Sequence, residues 1–198
     1  NTLINGRISW LNPGNDINFL EMMDNDYPAT LQERPWQTPA TMVHSWGWHA
    51  KDYNWKTASE MIGYLVSNVS KGGNYLLNIG PKPDGSFPPM AIRRLQEMGA
   101  WMLTNGDAVY GAKPLAIKVP KEIALTQKTV DGKQMIYASI VEPLSGKDLT
   151  LPIDINKIAS CKMLDTNMPL SYKKAGDDQV VISIPQPIAT MQDDGVQV

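Results

Sequence analysis

Apolar residues along this chain first follow a helical period and later alternate with polar ones. Between positions 57 and 69, Met61, Ile62, Leu65, Val66 and Val69 recur at the spacing of one helical face. Thr57-x-x-Glu60 opens that stretch as a capping box, and Gly72-Gly73 supplies the positive φ that ends a helix. The continuous apolar run at 75–79 predicts a short strand covered on both faces. Pro88-Pro89 then starts a second helix, with Ile92, Leu95, Met98 and Met102 on its apolar stripe and Asn105-Gly106 at its end. Methionines at such spacings read as core filler.

Upstream, residues 38–46 predict a strand with Met42 and Val43 inward, and Leu3-Ile4 reads as the tail of a buried strand. Residues 10–37 lack periodicity and carry Trp10, Phe19, Tyr27, Trp36, Glu21, Asp24, Asp26 and Glu33. So long an irregular stretch with that content predicts an ordered, site-forming loop. From about Lys113 the pattern changes. Segments 115–119, 134–141, 148–151, 158–164 and 179–184 alternate apolar with polar residues. Turn signals at Asp131-Gly132, Ser145-Gly146 and 176–178 separate them. The expected fold is therefore α/β: a partial parallel barrel, then an antiparallel β-sandwich, with the boundary near 111–114.

Composition narrows the function classes. The 198 residues are 42% hydrophobic and 19% charged, with a formal net charge of −2. That balance, without charge runs, points to neither nucleic acid nor an anionic membrane as partner. No apolar stretch approaches the roughly 20 residues needed to span a bilayer. Cys161 is the only cysteine and His44 and His49 the only histidines, so a disulfide framework is excluded and a zinc site has little support. Cys161 lies in an alternating segment and reads as a buried structural thiol. Asn68-Val69-Ser70 matches a glycosylation acceptor, but on a predicted helix. Asp84-Gly85 reads as a turn, lacking the ligand spacing of a phosphate or calcium loop.

Three groups of residues bear on chemistry. Glycosidic bond cleavage needs two carboxylates, and Glu21, Asp24, Asp26 or Glu33 can supply one; acidic loop residues are otherwise surface. The aromatics Trp36, Trp46, Trp48, Tyr53 and Trp55 suit the apolar faces of sugar rings, or else core and rim packing. Arg7 follows a strand end, where parallel barrels build their active sites; there it holds a sugar or an anion, or makes a surface salt bridge.

Read together, INGR at 4–7, PWQT at 35–38, SWGW at 45–48, SKGGNYLLNIGPKPDG at 70–85 and NGDAVYG at 105–111 resemble the second half of a family 29 α-L-fucosidase. The family forms are close to INDRWG, PWET, SWGY, SKGGNYLLNIGPTPDG and NGEAIYG, in the same order and spacing. The resemblance implies residues 1–112 as the C-terminal part of a (β/α)8-like catalytic barrel and 113–198 as a β-sandwich. It implies a retaining exo-glycosidase releasing terminal α-L-fucose from oligosaccharides or glycoconjugates, without metal or other cofactor, in a periplasmic, secreted or lysosomal setting. Arg7 matches the arginine that lies against the fucose, and Trp46 the aromatic near its methyl group. The nucleophile-bearing strand is expected upstream of INGR, so the partner of this half-barrel is the upstream remainder of its own barrel. For the acid/base, Asp26 and Asp24 in DNDYP are favoured, Glu21 next and Glu33 last; Gln37 stands where the family has the glutamate of PWE. That change keeps open a non-catalytic carbohydrate-binding relative of the same fold.

Overall fold

The computed structural model describes residues 2–8, 17–144, 146 and 148–185. Trp10, Ser145 and the tail beyond 185 lie outside the described residues. The chain divides into two units, Asn1–Gly99 and Ala100–Val198.

The first unit is built on parallel strands. Strands β1 (Leu20–Glu21), β2 (Trp36–Thr41) and β3 (Gly73–Asn78) lie side by side in that order. All are parallel, and Asn5 adds a parallel bridge to Phe19. Parallel neighbours need a crossover, and helix α1 (Ala58–Ser70) supplies the one between β2 and β3. Its capping box forms as the sequence predicts: Glu60 N donates to Thr57 Oγ1 at 3.1 Å and Thr57 N donates to Glu60 Oε2 at 2.6 Å. Gly72, at φ 80°, lets the chain leave the helix.

Met61, Ile62 and Val66 of α1 are buried, which contributes about 1.5–3 kcal/mol for each. Strand alternation assigns the rest. Trp36, Thr38 and Ala40 of β2 share a face with Gly73 and Tyr75 of β3, and Tyr64 of α1 stacks on Tyr75 with centroids 6.4 Å apart. The opposite face carries Glu21, Gln37, Asn74, Leu76 and Asn78. The described residues cover β3 on one side only, for Leu76 on this opposite face is 51% exposed. Asn68 is fully buried inside α1, its amide donating to Tyr64 O at 2.7 Å, so the acceptor pattern at 68–70 is closed to glycosylation in the folded chain.

Two expectations need correction here. Strand β1 and the start of β2 lie within the stretch read as irregular, because a two-residue strand gives no periodicity. In helix α2 (Pro89–Asn105) Ala91 and Met98 are buried, whereas Ile92 and Leu95 of the expected stripe are exposed.

The second unit is antiparallel. Strands β4 (Lys113–Pro114), β5 (Ile123–Val130) and β6 (Lys133–Ile140) form one sheet. Strands β7 (Asp148–Leu151), β8 (Tyr172–Gly176) and β9 (Gln179–Ser183) form another, with β9 central. Asp131 and Gly132, at φ 48° and 75°, make the tight turn between β5 and β6. The two sheets share one apolar core through Ile123, Leu125, Leu149, Leu151, Val180 and Ile182. Half-buried Cys161 packs against it, and burial pushes its thiol up. Strands β5 and β8 were not anticipated. Residues 115–119 and 158–164, expected as strands, instead contribute side chains to the core from irregular backbone, with one bridge from Lys162 to Pro169.

Candidate active site

The C-terminal ends of parallel strands are where loops can converge without blocking the sheet. On this molecule that edge carries Arg7, Glu21 and Asp24. Asn18 N donates to Ile4 O and Gly6 N to Phe19 O, which seats the first segment against the second. The fit at Gly6 is close, since a Cβ would meet Phe19 O at 3.3 Å and Ile17 Cδ1 at 3.2 Å. The backbone then turns through the short helical segment Gly6–Ile8, with Arg7 N donating to Asn5 Oδ1 at 2.6 Å.

Arg7 bridges two carboxylates. Its Nη1 lies 3.5 Å from Glu21 Oε1 and its Nη2 3.0 Å from Asp24 Oδ1. Glu21 is the buried member, its side chain 6% exposed against 38% for Asp24. Its other oxygen, Oε2, accepts from the Asn5 amide and, at 2.8 Å, from the Gln37 amide. A carboxylate taken out of water requires such partners. Glu21 and Gln37 meet because they are paired residues on adjacent parallel strands. Sequence reasoning passed over Asn5 and discounted Gln37; the available signal was position 37's alternation with the core residues Trp36 and Thr38.

Asp26 goes elsewhere. Asn25 adopts a left-handed φ of 55° and accepts at Oδ1 from Thr41 N and from Lys56 Nζ, which turns the chain away from Asp24. Asp26 is exposed; its carboxylate accepts from Tyr27 N at 2.7 Å and its carbonyl from Thr38 Oγ1. Tyr27 packs edge-on against Tyr64 of α1, and the Lys71 ammonium sits 3.8 Å above the Tyr27 ring. Burial lowers the Lys71 amine and raises the Tyr64 phenol, and the Asp26 charge acts on both. The structure therefore brings Arg7, Glu21 and Asp24 together and sets Asp26 on the helix side.

Trp46 lies on the loop that follows β2, on the same edge of the sheet. Thr41 Oγ1 donates to Ser45 O, the Asn78 amide donates to Trp46 O at 2.6 Å, and Asp52 Oδ2 accepts from both Ser45 N and Ser45 Oγ. These bonds hold a loop that presents Trp46 and Trp48 partly exposed and Tyr53 79% exposed. Trp36, in contrast, is core: it is 1% exposed and its indole N–H donates to Lys71 O. Among the described residues no group of three or more His, Cys, Asp and Glu side chains is placed to hold a metal ion.

Comparison with known proteins agrees with the earlier resemblance. The family model described as alpha-L-fucosidase matches residues 1–107, just over half of the chain. The chain is 31% identical over 172 residues to tissue alpha-L-fucosidase of Mus musculus, covering 85% of this chain and 38% of that protein. It is 31% identical to alpha-L-fucosidase of Dictyostelium discoideum, with 84% and 38% covered. Among solved structures, alpha-L-fucosidase isoenzyme 1 from Paenibacillus thiaminolyticus superposes with a TM-score of 0.75 at 30% identity, over 91% of this chain and 44% of that one. Thermotoga maritima alpha-fucosidase in complex with fucose gives 0.71 at 26% identity, over 98% and 44%. The chain thus spans well under half the length of these relatives. With the family model matched over more than half of its residues, the chain belongs to the alpha-L-fucosidase family.

Proposed function

We propose that these residues form the C-terminal part of the catalytic barrel (1–112) and the following β-sandwich (113–198) of a retaining enzyme that releases terminal α-L-fucose from oligosaccharides or glycoconjugates. The parallel order of β1, β2 and β3, with a helix between β2 and β3, supports a barrel segment. The exposed Leu76 on the face away from α1 supports cover by the remaining barrel strands. The two antiparallel sheets around one core support the sandwich.

One observation carries the mechanistic reading: a nearly buried carboxylate, Glu21, is held against Arg7 at the strand-end edge. In this reading Glu21 is the acid/base, in preference to Asp26 and Asp24. A carboxylate from the part of the barrel outside these residues attacks the anomeric carbon. As that bond forms the glycosidic C–O bond breaks, its electron pair goes to the leaving oxygen, and Glu21 supplies the proton. Glu21 then removes a proton from the water that displaces the enzyme carboxylate. Arg7 holds sugar oxygens, Asp24 keeps the guanidinium in place, and Trp46 offers an apolar wall to the sugar's methyl group.

The test uses the polypeptide that carries residues 1–198 within its complete barrel. Hydrolysis of an aryl α-L-fucoside, with retention at the anomeric carbon and loss on Glu21→Ala, is the expected result. Fucose binding without turnover of any fucoside would select the non-catalytic carbohydrate-binding reading instead.

A further inference from the structure

The two oxygens of Glu21 have different surroundings, and the difference bears on proton transfer. Oε2 accepts from two amide N–H groups, those of Asn5 and Gln37. Oε1 faces only the Arg7 guanidinium among the contacts described, at 3.5 Å. That is longer than a charge-assisted N–H···O bond, normally about 2.7–2.9 Å. An oxygen that already accepts two N–H bonds has no room for a proton of its own, since O–H and N–H would then point at each other. The partners of Oε2 also hold the plane of the carboxyl group, because both amides stand on backbone fixed by strand pairing.

We propose that Gln37, together with Asn5, is a positioning residue that selects Oε1 of Glu21 as the oxygen that carries the catalytic proton and gives it to the leaving group. This rests on Glu21 being the acid/base. Gln37 touches neither the sugar nor the leaving oxygen in this assignment; it acts through Glu21. An amide suits that task better than a carboxylate, because its N–H donates at any pH of interest whereas a facing carboxylate would compete for the same proton.

The experiment reads dependence on the leaving group. Gln37→Met and Gln37→Leu, which remove the amide but keep bulk, are compared with wild type and Glu21→Ala in the complete-barrel polypeptide. Substrates are a phenyl fucoside, whose departure needs a proton, and a dinitrophenyl fucoside, whose departure does not. Loss of one hydrogen bond to a charged group predicts a fall in kcat/KM of about 10-fold or more on the phenyl substrate. Less than about 2-fold should be lost on the dinitrophenyl one, where general acid help has little to contribute. Equal losses on both substrates, or none on either, would overturn the positioning role. If Glu21→Ala shows the leaving-group pattern and the Gln37 variants do not, only this inference falls. If Glu21→Ala lacks the pattern, the acid assignment itself falls. Melting temperatures of both Gln37 variants separate misfolding from either outcome.

Discussion

The guanidinium of Arg7 stands 3.0 Å from the Asp24 carboxylate and 3.5 Å from that of Glu21, so a single cation is shared between two acids of unequal burial. The inequality sets their chemistry apart. Asp24 is partly in water, where an ion pair contributes about 0–1 kcal/mol. Glu21 is nearly out of water, where removing either partner strands a charge and costs several times more. Arg7 is thereby held by Asp24 on its exposed side and by Glu21 on its buried side.

The three acids should accordingly separate by mutation. Glu21→Gln should lower kcat/KM on an unactivated fucoside by about a hundred- to ten-thousand-fold, the range of a general acid. Asp24→Asn should cost no more than about 5-fold, the equivalent of an exposed ion pair. Asp26→Asn should leave the rate within about 2-fold, because that carboxylate turns toward Tyr27 and α1. Steady-state kinetics of the three variants in the complete-barrel polypeptide checks the order. A greater loss in Asp26→Asn than in Glu21→Gln would contradict it.

Local signals in the sequence were the legible ones. The Thr57–Glu60 cap and the Asp131-Gly132 turn each depend on residues a few positions apart, and both form as read. Strand β5 was not legible, because its first four residues are all buried and its last ones exposed, which leaves no alternation to find. Glu21 was harder still. In the segment LEMMDND it reads as one acid among three. Its distinction comes from pairing with Gln37, sixteen residues away, and from the Asn25 turn that sends Asp26 to the other side. Sequence reading put Asp26 and Asp24 ahead of Glu21, and the proposed order, with Glu21 first, draws on the register of the sheet.

The cap of α1 can be tested alone. Thr57 Oγ1 accepts from Glu60 N at 3.1 Å while the Glu60 carboxylate accepts from Thr57 N at 2.6 Å. Thr57→Ala leaves that first-turn N–H without its partner and should lower unfolding free energy by about 1 kcal/mol. Urea denaturation followed by circular dichroism reads the change. Thr57→Ser should lose much less, because its hydroxyl also caps.

Gly73 faces Trp36 across the paired strands, and the indole lies where a Cβ would stand. Its absence of a side chain is what lets a fully buried tryptophan lie flat against β3. Gly73→Ala must displace either the ring or the strand, and overpacking of this kind costs typically about 1–3 kcal/mol. The expected readout is a lower melting temperature with blue-shifted tryptophan emission lost. An unchanged melting temperature would show that the strand yields easily at this point.

Ser45 and Asp52 close the loop that carries Trp46 and Trp48, and their bond is sensitive to acid. The Ser45 hydroxyl and then the Ser45 N–H hold the Asp52 carboxyl below the usual aspartate value of 3.8, with the Asn54 N–H and the His44 charge adding to the effect and desolvation opposing it. A carboxyl whose folded value is depressed binds protons more weakly in the folded than in the opened loop. Its contribution is therefore complete at neutral pH, begins to fall as pH drops through the ordinary aspartate range, and is gone below the depressed folded value. Tryptophan emission followed from neutral pH down to acid should report loosening of the loop in that window. Asp52→Asn keeps an acceptor for Ser45 but removes the titrating group. The difference between wild type and Asp52→Asn should then be fully present at neutral pH, shrink through the acid window and vanish below it, where both side chains are neutral. A difference that persisted unchanged to the lowest pH would assign the loop's order to contacts other than this pair.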